Sequence, residues 1–426
     1  MTITVLVVGF FGLLFIGAPV AVALGAATIL TSLLFNPIPP EIVGQKVLDN
    51  VDHFTLMAVP FFFLAASLME TGGLVRRLVS LANSFVGHLR GGLGMTAVLS
   101  CMLFAAISGS SPATVAAVGR VMYPSLVQEG YSPRYSIGAL ATAGSLGILI
   151  PPSIPMILYG FVTETSISRL FIAGILPGLL AVSMYILTVA VIGKLRPGFL
   201  PAGVRAGAPE RMKAIRGVWA PVLLFVFVIG GLYGGLFTPT EAGGMGAGGA
   251  FLIGVLRGRL DRADIRSSLL QATRTAAAVF TVLIGALLFG YFLTITQTPQ
   301  KVTEFLTGLG VGRYGVLALI MLMYLVLGCL MDAMAMIILT VPIIFPVIKS
   351  LGFDPIWFGV IIVMTVELGL IHPPVGMNVF VIKSVVKDVK FSTIFVGVLP
   401  FILTDLIRLV ILIAFPIIAL YLPTRM

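Results

Sequence analysis

Prolines and polar residues interrupt four otherwise apolar segments, and these interruptions are where the sequence could do chemistry. A proline pair removes two backbone donors and leaves carbonyls of the preceding turn without partners. Such carbonyls, with Ser and Asp oxygens, suit a small hard cation, while the N-termini of the broken helices offer free N–H groups to an anion. We therefore predict a sodium site and a carboxylate site there, against the alternative that the breaks are packing kinks. The interruptions are Ser108-Gly109-Ser110-Ser111-Pro112, GSLGILIPPS (144–153), GCLMD (328–332) and ELGLIHPP (367–374).

Five ionisable side chains fall in segments that we place in the membrane, where charged groups are costly. They are Asp332, Glu367, His372, Asp405 and Arg408. We predict that Asp332 is an ion ligand rather than a satisfied core carboxylate, whereas Glu367 and His372 fit a binding role or a structural one equally well. Asp405 and Arg408, three residues apart on one helix, are predicted to pair with each other.

The composition excludes most soluble classes of protein. Of 426 residues, 59% are hydrophobic and only 10% are charged, whereas a soluble domain carries about a quarter charged residues. A soluble enzyme, a nucleic-acid-binding domain and a disordered scaffold are all excluded on this ground. The net charge of +10 is interpreted as loop charge that orients a membrane protein, so no nucleic-acid partner is expected. Two isolated cysteines indicate neither a disulfide framework nor a zinc site.

The apolar runs predict an all-α polytopic membrane protein with about ten spanning helices, each needing about 20 residues. The N-terminal run is expected to be the first span rather than a cleaved signal peptide. Two runs of about 35 residues, 93–128 and 315–348, are interrupted in the middle and predict re-entrant hairpins of two short helices. The ten spans are expected near 2–17, 19–35, 54–71, 137–163, 170–192, 219–236, 240–256, 276–296, 357–382 and 392–422.

The distribution of Lys and Arg supports this topology. With both termini outside, the predicted cytoplasmic loops hold 18 Lys and Arg residues and the outside segments hold 6. Such an excess is typical of cytoplasmic loops. The basic segment 74–91 predicts an amphipathic surface helix, and 261–274 is expected to be its counterpart in the second half.

An internal repeat with an offset of 222 residues relates the two halves of the chain. Pro124 matches Pro346, and Pro151-Pro152 matches Pro373-Pro374. Each half would hold five crossings and one hairpin, and an odd number of crossings inverts the second copy. Inverted repeats with paired broken helices are typical of secondary transporters.

The predicted organisation divides the chain into two repeats and a linker. The first repeat spans 1–200, with scaffold helices in 1–71, an arm in 72–92, and a hairpin and broken helix in 93–163. A cytoplasmic linker spans 201–217. The second repeat spans 218–426, with scaffold helices in 218–296, a hairpin and broken helix in 315–382, and a last helix in 392–422.

Three segments resemble the large membrane subunit of tripartite ATP-independent periplasmic (TRAP) transporters: AAISGSSPATVAAVG, AGSLGILIPPSIPMILYG and GLIHPPVGMNVFV. The resemblance covers essentially the whole chain. It implies an elevator-type ion transporter fold in the bacterial inner membrane and sodium-driven import of carboxylate-bearing organic acids. It also implies two partners, a small four-helix membrane subunit, expected as a separate polypeptide, and a periplasmic substrate-binding protein. No cofactor other than coupling sodium ions is expected.

The resemblance also implies roles for residues at the motif positions. One sodium site would use Ser108 and Ser111 with the backbone at Gly147, Ile150 and Pro152. The other would use Asp332 with the backbone at Gly328, Gly369 and His372. The substrate carboxylate would lie near Ser110, Ser111 and Ser153. Threonine is frequent in the family where this chain has His372, and a histidine there could bind substrate or titrate with pH.

Three other functions compete with this one. A self-sufficient sodium- or proton-coupled carboxylate transporter would work without a binding protein. An intramembrane protease would need a nucleophile–base constellation or a motif such as HExxH, which the sequence lacks. A channel would need a continuous pore, which the paired breaks argue against.

Overall fold

The structure is a computed structural model that describes residues 2–35, 44–45, 53–196, 198–203, 205–329 and 331–425. Within these ranges the chain is helical apart from turns and one isolated β-bridge, Arg90 to Ala202. The first half holds α1 (Thr2–Phe15), α2 (Val20–Phe35), α3 (Ala58–Thr71), α4 (Leu74–Val86), α5 (Gly92–Ser108), α6 (Ser111–Gln128), α7 (Pro133–Ser145), α8 (Ile154–Thr163) and α9 (Ile167–Leu195).

The second half continues with ten further helices in the described residues. They are α10 (Ala208–Tyr233), α11 (Pro239–Leu256), α12 (Arg262–Ile295), α13 (Thr298–Gly308), α14 (Gly312–Gly328), α15 (Ala333–Ser350), α16 (Pro355–Gly369), α17 (Met377–Val385), α18 (Phe391–Ala414) and α19 (Ile417–Leu420).

Capping residues and prolines set many of the helix starts. Asp354 accepts hydrogen bonds from the backbone N–H groups of Ile356 (2.8 Å) and Trp357 (2.9 Å), and Pro355 is the first residue of α16. Proline suits this position because its missing N–H would be unpaired there in any case. Pro133 begins α7 in the same way.

The helix bounds of the two halves follow the 222-residue offset of the sequence. Displacing α6 by 222 residues gives the first and last residues of α15. The turns after these helices also agree, because Gly130 and Gly352 both adopt positive φ, +77° and +73°, the left-handed conformation that favours glycine. Both predicted hairpin segments are therefore pairs of helices that meet at the predicted polar breaks.

The helices pack as two groups, which touch directly through α12 and α15 and are also bridged by two short helices. One group contains α1–α3 and α10–α12, and the other contains α5–α9 and α14–α18. The amphipathic α4 packs against α5 and α10, while α13 packs against α12 and α15. Each of these short helices thus contacts both groups. The broken segments lie in the interior of the second group, where nearly every side chain from 137 to 160 is buried.

Helix length and composition are those of a multi-pass membrane protein. Six helices in the described residues are long and apolar enough to cross a bilayer: Phe54–Thr71, Ile167–Leu195, Ala208–Tyr233, Arg262–Ile295, Ala333–Ser350 and Phe391–Ala414. Shorter apolar helices, including α1, α2 and one arm of each broken segment (α8 and α16), accompany them. The all-α polytopic fold expected from the sequence is confirmed.

Three predicted boundaries are wrong. Residues 261–274 do not form a separate surface helix, because Asp261 caps the 34-residue α12 by accepting the N–H of Asp264 at 2.7 Å. The helix that matches α4 at the repeat offset is instead α13. The linker 201–217 is partly helical, since α10 begins at Ala208. The predicted last helix, 392–422, is divided: α18 ends at Ala414, and the short α19 follows Pro416.

Candidate functional site

The first hairpin tip is a buried cluster of hydroxyl groups. Helix α5 ends at Ser108, Gly109 turns the chain with φ of +58°, and α6 begins at Ser111. The Ser108 and Thr114 hydroxyl oxygens lie 2.8 Å apart, and Thr114 also donates to the carbonyl of Ser110 at 2.8 Å. Ser108, Ser110 and Ser111 are at most 8% exposed. The tip therefore places several hard oxygen atoms away from bulk solvent.

The first tip lies directly against the first break. The backbone N–H of Ile154 donates to the carbonyl of Gly109 at 3.4 Å. A Cβ at Gly147 would lie 2.6 Å from the Ser110 carbonyl oxygen, and one at Gly109 would lie 2.5 Å from the Pro152 carbonyl oxygen. Only glycine permits approaches this close. The structure thus brings together the predicted residues of the tip with Gly147 and Pro152.

Ser153 and Ile150 have structural contacts as well. The Ser153 hydroxyl caps α8 by accepting the N–H of Met156 at 3.3 Å, and it donates to the carbonyl of Ile148 in a short hydrogen bond. The Ile150 side chain packs on α9, where a Cβ at Gly178 would lie 2.9 Å from it. The predicted ligand atom of Ile150 is its backbone carbonyl oxygen, since its side chain has no polar atom.

The second tip meets the second break in the same manner. A Cβ on either Gly328 or Gly369 would lie 2.7 Å from the Cα of the other, so two backbones touch here. The thiol of Cys329 donates to the carbonyl of Pro373 at 3.2 Å. The predicted pair Gly328 and Gly369 is thus brought together, and the carbonyl of His372 lies 3.7 Å from the same thiol. Both proline pairs, Pro151-Pro152 and Pro373-Pro374, contain a cis peptide bond.

The side chains of Asp332 and His372 differ in their hydrogen bonds. One carboxylate oxygen of Asp332 caps α15, accepting the N–H groups of Met334 (2.9 Å) and Ala335 (3.2 Å). The side-chain Nδ1 of His372 is buried and has no hydrogen-bond partner among the described residues. Asp332 therefore has a helix-capping role in addition to any role as an ion ligand.

A contact that the sequence did not predict joins the first tip to the second break. Asn378, in the first turn of α17, donates to the Ser111 hydroxyl at 2.7 Å, and that hydroxyl lies 3.0 Å from the Asn378 amide oxygen. Asn378 also donates to the carbonyl of Ala141 at 3.3 Å. The sequence signal that could have revealed this contact is an asparagine within an apolar run, because polar side chains are rare in membrane helices.

A buried ionic cluster lies behind the second break. Arg408 is within 3.2 Å of Glu367 and 2.9 Å of Asp405, and all three side chains are at most 1% exposed. Tyr185 donates to Asp405 at 2.7 Å, and Ser145 donates to Glu367 at 2.8 Å. The predicted Asp405–Arg408 pair is present, with Glu367 as a second partner of the guanidinium. The cluster ties together α7, α9, α16 and α18.

These oxygens suit a monovalent hard cation better than a transition metal. Within the described residues no three His, Cys, Asp or Glu side chains are grouped so that they could hold a metal ion. Hydroxyl and carbonyl oxygens at the first tip are hard donors of little net charge. The N-terminus of α6 lies at the same contact and is suited to an anion, whereas the first N–H groups of α8 are already bonded to Gly109 and Ser153.

Comparisons with a family model and with individual proteins point to the same family. Residues 7–418 match the family described as "Tripartite ATP-independent periplasmic transporter, DctM component". The chain is 40% identical over 402 residues to the C4-dicarboxylate TRAP transporter large permease protein DctM of Pseudomonas aeruginosa, a match that covers 94% of this chain and 93% of that protein. It is 36% identical over 397 residues to the isethionate TRAP transporter permease protein DctMQ of Oleidesulfovibrio alaskensis, covering 92% of this chain and 62% of that protein.

Among solved structures, the fold is similar to that of the YdaH transporter of Alcanivorax borkumensis. The TM-score is 0.65 at 16% sequence identity, over 96% of this chain and 98% of that one. At this identity the similarity concerns the fold alone.

Proposed function

Because the chain belongs to the family of DctM components of tripartite ATP-independent periplasmic transporters, we propose that it is the large permease subunit of a sodium-coupled importer of organic acids. The family consists of permeases, and the chain is a multi-pass protein of the bacterial inner membrane. The transported acids would bear a carboxylate, as C4-dicarboxylates, keto acids and sugar acids do.

The observation that carries the sodium proposal is the contact between the first tip and the first break. Ser108 and Ser111 would supply hydroxyl oxygens, and Gly147, Ile150 and Pro152 would supply carbonyls. The tip is buried and the backbones approach closely there. A second ion would be held by Asp332 with the backbone at Gly328, Gly369 and His372. That proposal rests on the Gly328–Gly369 contact and on the carboxylate at the tip.

The substrate carboxylate would bind near Ser110, Ser111 and Ser153. The N-terminus of α6 lies at this point, and the positive end of its dipole would favour an anion. The relative in P. aeruginosa is named for C4-dicarboxylates, so succinate, malate and fumarate are the first acids to test. The relative in O. alaskensis is named for isethionate. Isethionate carries a sulfonate, so the same architecture would accommodate an anionic group other than a carboxylate.

Transport would follow an elevator mechanism in which α5–α9 and α14–α18 move as a unit against α1–α3 and α10–α12. The packing of the helices into two groups supports this division. A small cleft between the groups is lined by apolar side chains, among them Phe62, Ile107 and Leu224, and by Pro152 of the first break. An apolar boundary contains few directional bonds that a sliding movement would have to break.

The test is uptake into proteoliposomes that contain this chain, a small membrane subunit and a periplasmic binding protein. We expect uptake of radiolabelled C4-dicarboxylate to require an inward sodium gradient and all three proteins. Uptake by this chain alone would favour the alternative, a self-sufficient sodium- or proton-coupled carboxylate transporter. Uptake that a proton gradient drives equally well would remove sodium as the required ion.

The Asp332 assignment has a matched control within the chain. Asp332→Asn retains a good helix cap but removes the charge, so it should impair sodium-dependent uptake while membrane insertion and folding are unchanged. Asp354 caps α16 with the same two-bond geometry in an exposed position. Asp354→Asn should therefore leave uptake unchanged. Normal sodium dependence in Asp332→Asn would eliminate its carboxylate as a ligand.

A further inference from the structure

A large cavity lined by described residues lies away from the tips and is strongly basic. It has a volume of about 910 Å³ and lies between α4, the N-terminal part of α10 and the segment after α11. One carboxylate, that of Glu210, lines it, and that carboxylate already caps α10 by accepting the N–H of Gly207 at 2.9 Å. Six cationic side chains line the same cavity: Arg77, Arg205, Lys213, Arg216, Arg257 and Arg259.

Six cationic side chains and one carboxylate leave the cavity lining with an excess of positive charge. The ion pairs found among the described residues involve Arg120 and Arg408, and neither of these arginines lines the cavity. Partial burial, and then the neighbouring charges of Arg259 and Arg257, lower the pKa of Arg77 on the surface helix α4. The cavity therefore has a positive electrostatic potential that would attract an anion.

A second, narrower cleft shares three of these arginines and continues into apolar surroundings. Arg77, Arg257 and Arg259 line both cavities. The rest of the narrower cleft is formed mostly by apolar residues of α3, α10 and α11, including Leu68, Met69, Pro221 and Ile253. A ligand that filled both cavities would need an anionic end and an apolar end.

The protein surface beside the cavity is suited to lipid chains. Ile215, Trp219 and Leu223 recur every four residues on α10 and are 42%, 55% and 58% exposed. The guanidinium of Arg257 lies over the Trp219 ring at 5.3 Å. Tryptophan is enriched at membrane–water interfaces, with its ring at the level of the lipid headgroups. The cavity thus opens where a headgroup would meet the protein.

We propose that this basic cavity binds the phosphate headgroup of an anionic phospholipid of the cytoplasmic leaflet, with acyl chains running over the adjacent apolar cleft and along α10. Arginine recognises phosphate in a bidentate geometry, and basic pockets between membrane helices on the cytoplasmic side suit such headgroups. Because α4 contacts both helix groups, a lipid held against it would brace the junction between them.

The experiment uses the full chain purified in mild detergent. Phosphatidylglycerol is titrated into the micelles, phosphatidylcholine is the neutral comparison, and the apparent melting temperature and the lipids retained in native mass spectrometry are recorded. We expect phosphatidylglycerol to raise the melting temperature and to remain bound, whereas phosphatidylcholine does neither. The triple variant Arg77→Gln, Arg257→Gln, Arg259→Gln should lose at least tenfold in apparent affinity for phosphatidylglycerol.

The matched control removes three cations that do not line either cavity: Lys383→Gln, Lys387→Gln and Lys390→Gln. This variant should bind phosphatidylglycerol as the unaltered chain does. Equal loss of binding in both triple variants would show attraction by net charge alone and overturn the proposal. Stabilisation by inorganic phosphate to the same extent would assign the cavity to a free anion.

A second triple variant covers the case in which the glutamine variant does not fold. Arg77→Lys, Arg257→Lys and Arg259→Lys keep the charge but lose the bidentate geometry, and we expect weaker retention of phosphatidylglycerol than in the unaltered chain. Equal retention by the lysine variant and the unaltered chain would overturn the arginine assignment. If a small membrane subunit displaced the lipid from the unaltered chain, the cavity would instead be a protein interface.

Discussion

The buried guanidinium of Arg408 permits a quantitative test of how α9, α16 and α18 are held together. Arg408 and Glu367 are fully buried and Asp405 is 1% exposed, with the guanidinium 3.2 Å and 2.9 Å from the two carboxylates. Arg408→Leu would leave both carboxylates buried without a counter-charge. Removing one partner of a buried ion pair costs about 3–5 kcal/mol, so we expect the free energy of unfolding to fall by about this amount.

The chain also contains an exposed pair that serves as a control. Arg120 and Glu70 are 3.4 Å apart, but their side chains are 63% and 25% exposed. Solvent screening reduces such a pair to about 0–1 kcal/mol. Arg120→Leu should therefore be close to the unaltered chain in the same assay. Unfolding by sodium dodecyl sulfate in mixed micelles, followed by tryptophan fluorescence, would compare the two variants.

A neutralised cluster separates lost charge pairing from lost packing. The triple variant Glu367→Gln, Asp405→Asn, Arg408→Leu removes all three charges and should recover most of the stability lost in Arg408→Leu, since no unpaired charge remains buried. The reasoning would be refuted if the triple variant were as unstable as the single one. It would also be refuted if Arg408→Leu differed from Arg120→Leu by less than about 1 kcal/mol.

Two further variants test close packing and the contact between the halves. At Gly138 an added Cβ would lie 2.1 Å from a backbone oxygen of α18, so Gly138→Ala should lower the free energy of unfolding by about 1–3 kcal/mol through overpacking. At Gly217 an added Cβ would have nothing within 4 Å, so Gly217→Ala should not destabilise the protein. The same denaturation assay compares the two variants. Asn378→Ala removes the bonds to Ser111 and should cost about 1–3 kcal/mol, and unchanged stability would show that this contact is not a structural link.

Much of the architecture could be predicted from local sequence signals. Pro151-Pro152 and Pro373-Pro374 mark both broken helices, and Gly109 and Cys329 fall in the turns between the paired helices of the hairpins. The proline pairs and the left-handed Gly109 are strong local helix breakers, whereas single prolines such as Pro124 and Pro346 lie inside helices. The division into helix, break and helix therefore needed no tertiary information.

The errors had two sources, one in the local sequence and one in tertiary packing. The polar stretch 261–274 resembles a surface arm, yet the Asp261 cap and the apolar residues that follow make it the start of one long helix. Tertiary packing decides which further residues contact the Asp405–Arg408 pair, and the sequence did not show them. The spacing of Asp405 and Arg408 predicted their pairing, but Glu367 and Tyr185 join them only because α9 and α16 cross α18.

The hydrogen bond between Ser145 and Glu367 has a consequence for how the two halves are joined. The residues are 222 positions apart, so each occupies in its own half the place that the other occupies in the opposite half. If two identical separate chains met about a twofold axis, such a position would face its own copy. Two serines would leave Arg408 one carboxylate fewer, and two glutamates would set like charges about 3 Å apart in a buried site. A donor and an acceptor can face each other there only because the two halves differ in sequence, so this polar contact could not form in a symmetric dimer of identical halves.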